Sequence, residues 1–412
     1  MNIFYRSCLL FVCTLIITSA SSAQVKCGID NLIDTEFEML RGSSVVLVTH
    51  AAARTFRGTS TAEEFIGCKN LRTLRVLAPE HGYYGVVAAG IHVANDSVQG
   101  IPVVSLYGPK RRPDADMLAG ATAVVVDLQD IGVRSYTYIS TMVEVMEACA
   151  ELNIRCVILD RPNPLGGITV EGNLPDDTLR SFIGRLPIPY IHGLTMGELA
   201  TMTNESGWLE KSRAGTALRC SLTVVRCKRW RRTMMWHDTQ LSWYPTSPNI
   251  PTFESVRGYA LTGLLGELGP CSIGIGTTMP FTVIGAPDFV QDSFIVATCK
   301  RYGVVAARSK FVPMVAKYAN TVCEGYHLEP TQSWQPYSVA IALLWRMRQL
   351  RPDAFATSLV QRPHGKMFAK ACGSTELLKA LIEGKPLSAC EKIADMGVEE
   401  FKKRRSAFLL YD

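Results

Sequence analysis

Metal-binding spacings are missing from this 412-residue chain: its 13 cysteines form no Cys-x-x-Cys pair, and its seven histidines fall at no close ligand spacing. No metal is therefore expected. There is no Gly-x-x-x-x-Gly-Lys-Ser/Thr phosphate loop and no Gly-x-Ser-x-Gly elbow, which removes the two commonest signatures of nucleotide hydrolysis and serine hydrolysis. Gly274-Ile275-Gly276-Thr277-Thr278-Met279 lacks the third glycine and the strand–helix setting of a dinucleotide fingerprint, so no cofactor is expected either. Charge is sparse and nearly balanced, 43 Lys+Arg against 37 Asp+Glu for a net +6. That is too diffuse for a nucleic-acid partner. The single basic run, Arg226-Cys227-Lys228-Arg229-Trp230-Arg231-Arg232, reads as a solvated strand rather than a polyanion site. No repeat or low-complexity stretch is present.

What the chain does contain is core-forming material. An apolar fraction of 47% excludes pervasive disorder, and the length calls for two domains at ~100–200 residues each. Residues 1–23 read as a secretory signal. Arg6 gives the positive start, Cys8–Thr18 an apolar run, and Ser21-Ser22-Ala23 the small residues of a cleavage site. The run is short for a spanning helix, which needs ~20 apolar residues; an uncleaved anchor is the alternative. Cleavage leaves an exported protein, periplasmic or secreted, with no stable membrane insertion. Cys8 and Cys13 leave with the signal, and the remaining cysteines are odd in number. Cys149 on an apolar helical face and Cys156 at the start of an apolar strand read as buried thiols. Nothing in the sequence sets an oligomeric state.

The first half alternates β-branched runs with helical patterns, which predicts an α/β fold: a Rossmann-like domain with a mostly parallel sheet over residues 24–250. Proline density around Trp243-Tyr244-Pro245-Thr246-Ser247-Pro248-Asn249 marks a boundary near 250, and residues 251–412 read as a smaller α+β domain with helices around Thr375–Gly384 and Val398–Leu409. Predicted strands are Ser44–Val48, Leu74–Leu77, Pro102–Leu106, Ala123–Val126 and Cys156–Leu159. Met142, Val145, Met146, Cys149 and Ala150 recur at helical spacing between the last two. These strands end in Thr49-His50, Pro79-Glu80-His81-Gly82, Tyr107-Gly108-Pro109, Asp127-Leu128-Gln129-Asp130-Ile131-Gly132 and Asp160-Arg161-Pro162-Asn163-Pro164-Leu165-Gly166-Gly167. In an open α/β sheet all five ends lie on one edge, where ligands bind. Five polar strand ends thus describe one shared site.

Several residue types at that edge suit acid–base work on a polar ligand. Glu80, between a proline and a glycine after an apolar strand, would face a partly desolvated cleft, and desolvation raises a carboxyl pKa as a proton donor near neutral pH requires. A loop glutamate paired with a cation is the competing reading. Asp127 and Asp130 are candidates for a second carboxylate or a water-activating base, or else cap amides in a tight turn. Arg134, Tyr136 and Tyr138 alternate, so in extended backbone they would project together and suit an anionic, ring-shaped ligand; alternatively Arg134 holds one of the aspartates. Asp160, Arg161 and Asn163 add another carboxylate, guanidinium and amide, with His81, Glu171, His192 and Asn249 nearby in loops. Thr195-Met196-Gly197-Glu198 has capping-box spacing, which assigns Glu198 to a helix start ahead of catalysis.

These motifs, in this order, resemble the NamZ-type exo-β-N-acetylmuramidases. The likeness runs from Pro79-Glu80-His81-Gly82 through Asp127–Tyr138 and Asp160–Gly167 to His192-Gly193-Leu194-Thr195-Met196-Gly197-Glu198-Leu199, Ser247-Pro248-Asn249, Pro280-Phe281, Gly285-Ala286-Pro287 and Leu409-Leu410-Tyr411. The resemblance implies a Rossmann-like domain, a smaller C-terminal domain and a cleft between them. It also implies release of N-acetylmuramic acid from the non-reducing end of peptidoglycan-derived saccharides, with Glu80 as the catalytic acid. Charge logic assigns Arg134 to the sugar's lactyl carboxylate, while a neighbouring Asp or the substrate's acetamido group is left as the second catalytic group. One departure stands out: where relatives commonly show Ser-Glu-Gly-Arg-Gly-Thr, this chain has Ser272-Ile273-Gly274-Ile275-Gly276-Thr277. A non-catalytic binding protein for amino sugars or wall fragments is the other reading, and only the enzyme needs a poised acid.

Overall fold

The structure is a computed structural model that describes residues 24–210 and 215–412; the expected signal, residues 1–23, lies outside them. Seven strands form the N-terminal sheet: β1 (Ser44–Thr49), β2 (Arg72–Ala78), β3 (Asp96–Val98), β4 (Ile101–Ser105), β5 (Ala123–Asp127), β6 (Arg155–Leu159) and β7 (Leu222–Val225). Their spatial order is β3-β4-β2-β1-β5-β6-β7, all parallel except the edge strand β3, which pairs antiparallel with β4. The six parallel strands have the Rossmann order, with the reversal of winding between β1 and β5. All five strands predicted from the sequence are present. The short edge strand β3 and the half-buried β7 lack a run of apolar residues long enough to be seen.

Why these runs form central strands is visible in their burial. Every residue of β5 is buried, as a parallel strand covered on both faces requires. Alternate side chains go to opposite cores. Val46, Val48, Val124, Val126 and Ile158 pack on one face with helix α3 (Tyr138–Leu152) and α4 (Met196–Glu205). Val45, Leu47, Val76, Val125 and Val157 pack on the other with α1 (Gly28–Asp34) and α2 (Thr61–Gly67). The expected capping box starts α4: the Thr195 hydroxyl accepts from the Glu198 amide, and the Glu198 carboxylate from the Thr195 amide at 2.9 Å.

The C-terminal part holds α5 (Phe253–Leu268), β8 (Val283–Ala286), α6 (Ser293–Arg301), β9 (Val304–Phe311), β10 (Cys323–Pro330), α7 (Pro336–Leu350), α8 (Pro363–Cys372), α9 (Thr375–Glu383), α10 (Leu387–Ala394) and α11 (Val398–Arg405). Its three strands form an antiparallel sheet in the order β8-β10-β9. The two parts share one hydrophobic cluster, which runs from Val124 and Met142 through Leu264 to Leu343 and Leu381. All eleven cysteines of the described residues are unpaired, and all but the half-buried Cys68 are buried. Burial pushes the Cys27, Cys271 and Cys372 thiols up to about 12, which keeps them protonated and inert.

The basic run corrects its sequence reading. β7 ends at Val225, and the residues after it do not continue as a solvated strand: Trp230 and Arg232 are buried, the latter in an ion pair with Glu198 at 2.6 Å. The chain's last residues fold back onto the same region. The Tyr411 hydroxyl donates to Asp160 at 2.5 Å and accepts from the Cys227 amide at 2.9 Å. Tyr411→Phe leaves both groups without that partner, so it should cost about 1–3 kcal/mol, read as a lower urea midpoint with an unchanged slope.

Candidate active site

Strand β2 ends at Ala78, and the next four residues make the turn that presents the acid. His81 and Gly82 both take left-handed backbone, at φ 72° and 76°. A Cβ on Gly82 would meet Val93 at 2.9 Å, so the glycine is needed for space as well as conformation. His81 is held by its Nδ1, which donates to the Val87 carbonyl at 2.8 Å; in the neutral ring this leaves Nε2 as an acceptor. Glu80 is buried. Its Oε1 accepts from the Gly90 amide at 2.9 Å and its Oε2 from the Thr137 hydroxyl at 2.6 Å, Thr137 being the residue that precedes α3. Tyr107, after β4, lines a cavity beside Glu80. Burial, then the charge of Glu80, pushes that phenol up to about 12.

Glu80 and His81 line a cavity of about 300 Å3 together with Tyr107, Ser135, Tyr136 and Thr137 from the sheet edge, and Ser247, Asn249 and Ile250 from the segment joining the two parts. Tyr259 and Glu267 of α5, with Phe281 and Met367, close it from the C-terminal side. The loops after β2 and β4 lie on one side of β1 and that after β5 on the other, so the cavity straddles the point where the winding reverses, as expected for this architecture. Ser135 and Tyr259 share a hydroxyl contact of 3.1 Å across the two parts. Tyr136 donates to the Thr246 hydroxyl at 2.8 Å.

Of the residues singled out in the sequence, Glu80, His81, Tyr136 and Asn249 thus meet in one cavity; the others are used elsewhere. Asp127 is fully buried and accepts from Thr61 at 2.5 Å and from the Arg161 fork at 2.5 and 2.8 Å. Arg161 also donates to the Arg54 carbonyl, so both are spent on holding strand ends. Asp160 receives the Thr195 hydroxyl and the Gly197 amide, at 2.7 and 2.8 Å, and so caps α4. Asn163 ties its own loop to the Leu194 carbonyl. Glu171 accepts from the Tyr337 amide and the Ser338 hydroxyl at the start of α7, and lines a separate cavity.

Arg134 is corrected most sharply. Residues 134–137 form a turn into α3 rather than extended backbone, so the alternation that would have grouped Arg134 with the tyrosines does not apply. The guanidinium is 2% exposed and donates to the carbonyls of Asn173 and Ile188 at 2.7 Å and of Ala371 at 3.1 Å. It cross-links the sheet edge to the end of α8 and does not line the Glu80 cavity. Tyr138 is likewise buried, its hydroxyl on the Thr246 carbonyl at 2.8 Å.

Asp130 and His192 make a buried pair just outside the cavity lining. The His192 Nδ1 accepts from the Leu194 amide, which leaves the proton on Nε2, 3.9 Å from Asp130. Burial drives His192 down to about 3, and burial pushes Asp130 up to about 7 against the Gly132 and Ile131 amides. At 3.9 Å, with His192 held neutral by burial, this is not an ion pair.

Missed by sequence reasoning were Tyr107, Ser135, Thr137, Tyr259 and Glu267. The first three sit in the very loops that were singled out. Tyr259 lies mid-helix and Glu267 in the last turn of α5, eight residues apart, a spacing that carries no signal until the helix is docked.

The fold and this cavity define a two-domain α/β protein whose cleft is built for acid–base chemistry on a small polar molecule. The chain matches the exo-β-N-acetylmuramidase NamZ N-terminal domain over residues 45–254 and the NamZ C-terminal domain over residues 257–411. It is 32% identical to the peptidoglycan β-N-acetylmuramidase NamZ of Bacillus subtilis, across 95% of this chain and 93% of that protein. Two crystal structures of DUF1343-family proteins from Bacteroides fragilis superpose on it. One has a TM-score of 0.84 at 33% identity, covering 94% of this chain and 99% of that one; the other has 0.74 at 27%, covering 95% and 99%. The chain belongs to the NamZ family of exo-β-N-acetylmuramidases, and so to the glycoside hydrolases.

Asp130 supplies a test of the electrostatics. A carboxyl raised in the folded state binds its proton more tightly there than when unfolded, so its contribution is complete below about pH 4 and is lost as pH rises through about 7. Asp130→Asn removes the titration. Between pH 5 and pH 8 the variant should gain about 2 kcal/mol on the wild type, measured as the difference between paired urea unfolding curves.

Proposed function

We propose that this chain is an exported exo-acting glycoside hydrolase that releases N-acetylmuramic acid from the non-reducing end of peptidoglycan fragments, for cell-wall turnover, with Glu80 as its general acid. The observation that carries this reading is the placement of Glu80: buried at a strand end, lining the cavity, with the plane of its carboxyl fixed by Gly90 and Thr137. A carboxylic acid so held protonates the departing glycosidic oxygen without first having to find its orientation. Tyr136, Tyr259 and Phe281 supply ring faces for a pyranose, and Asn249, Ser247 and Ser135 supply neutral hydrogen-bonding groups for its hydroxyls and acetamido group. The description of the Bacillus subtilis relative supports the same substrate.

With Arg134 committed to backbone carbonyls, the cation for the lactyl carboxylate is Arg111. It stacks on Tyr107 of the cavity wall and on Phe182, at 5.1 and 4.3 Å to the ring centres, is exposed, and has no ion pair among the described residues. A guanidinium lodged against two rings tilted at 47° to each other is pre-oriented for a carboxylate.

Two measurements on the mature protein test the reading. On a disaccharide with N-acetylmuramic acid at the non-reducing end, Glu80→Gln should lower kcat by about 100- to 10,000-fold while binding of the disaccharide persists in calorimetry. Undiminished turnover removes Glu80 from the mechanism, and a wild type that binds such saccharides without cleaving them is a binding protein instead. Arg111→Met should raise KM for the muramic acid substrate about tenfold and leave that for the N-acetylglucosamine analogue, which lacks the lactyl group, unchanged.

A further inference from the structure

Asp127 is locked to Arg161, and Asp130 lies outside the cavity lining. The carboxyl that does face Glu80's cavity from the opposite domain is Glu267, in the last turn of α5. It is half-buried, and among the described residues it has neither a hydrogen bond nor an ion pair. Such a group is unusual, because a partly desolvated carboxylate is normally paired. Tyr259 is on Glu267's own helix and Tyr190 packs against that helix, and both phenols feel its charge. Glu80, His81 and Tyr107 stand across the cavity. Tyr259 lines the same cavity as Glu80 and Glu267, and its phenol feels the charge of both. Among the described residues no cation offsets Glu267, and burial raises its carboxyl above its ordinary value. The turn that carries it is positioned by Ile273, whose side chain fills the space a Cβ on Gly266 would need, at 2.5 Å.

We propose that Glu267 is the second catalytic carboxylate, the base that takes a proton from the attacking water while Glu80 gives one to the departing oxygen. The inference rests on the hydrolase reading above and adds the missing half of the reaction. As the bond from the anomeric carbon to the glycosidic oxygen breaks, its electron pair stays on that oxygen, which takes the proton of Glu80. The water oxygen bonds to the anomeric carbon, and the water's surplus proton passes to Glu267. Glu80 is left as a carboxylate and Glu267 as an acid, and exchange with solvent resets both. Two carboxyls on opposite domains make turnover depend on the domains being docked, which the Arg134 clamp and the shared core maintain.

The test separates acid from base by the leaving group. The substrates are the muramic acid disaccharide and a 4-nitrophenyl β-glycoside of N-acetylmuramic acid, whose nitrophenolate departs without needing a proton. Glu80→Gln should be impaired on the disaccharide and recover on the nitrophenyl glycoside to within about tenfold of wild type. Glu267→Gln should lose at least about 100-fold in kcat on both substrates, with KM within threefold, and lose the acid limb of its pH profile. Glu267→Ala should regain activity on the nitrophenyl glycoside with added formate or azide, which also guards against a variant that is merely misfolded. With an active wild type, a Glu267→Gln variant whose kcat stays within threefold, or that changes only KM, overturns the proposal and leaves the hydrolase reading intact. A wild type inactive on both substrates overturns the hydrolase reading and this role with it.

Discussion

The buried pairing of Asp127 with Arg161 is the constraint on which the sheet edge depends. It joins the end of β5 to the loop after β6 and draws in Thr61 at the start of α2 and the carbonyl of Arg54. Two charges out of water are tolerable only because each finds its partner with good geometry, and loss of either would strand the other at a cost of several kcal/mol. Beside it, Asp160 caps α4 and receives the terminal Tyr411. The strand ends at the centre of the sheet are therefore consumed by architecture. Chemistry is displaced toward β2 and β4, where Glu80 and Tyr107 face a space that protein groups do not fill.

The second domain completes that space rather than merely covering it. Helix α5 contributes Tyr259 and Glu267 to the cavity wall, and its position is set by packing against α7 and α8 within the common hydrophobic cluster. Arg134 is the polar counterpart of this packing. A guanidinium that donates to carbonyls of the N-terminal loops and of α8 ties the two halves together at fixed separation. Precision of that kind matters because displacement of about 1 Å between reacting groups is costly to a rate. The interface is thus part of the site.

Much of the fold was legible because its signals are local. A run such as Ala123–Val126 can only be a strand buried on both faces, and five such runs alternating with helical patterns have few arrangements besides a parallel sheet with its carboxyl ends on one edge. The turn Pro79-Glu80-His81-Gly82 was legible for the same reason: proline, glycine and the end of an apolar run fix the backbone, and the backbone presents the carboxyl. Arg134 was misread because its partners are carbonyls of Asn173, Ile188 and Ala371, and a carbonyl leaves no mark on residue type.

By itself, then, the order of residues determined the Rossmann-like sheet, the capping of α4, and the presence of an acid at the end of β2, since periodicity and turn chemistry act over a few positions. Only the tertiary structure decided which carboxyls are free. A carboxylate becomes structural or reactive according to whether a cation, an amide or open space lies within about 3 Å of it. For Asp127 that neighbour comes from 34 residues away, and for Glu267 the facing wall is built by residues from the other domain.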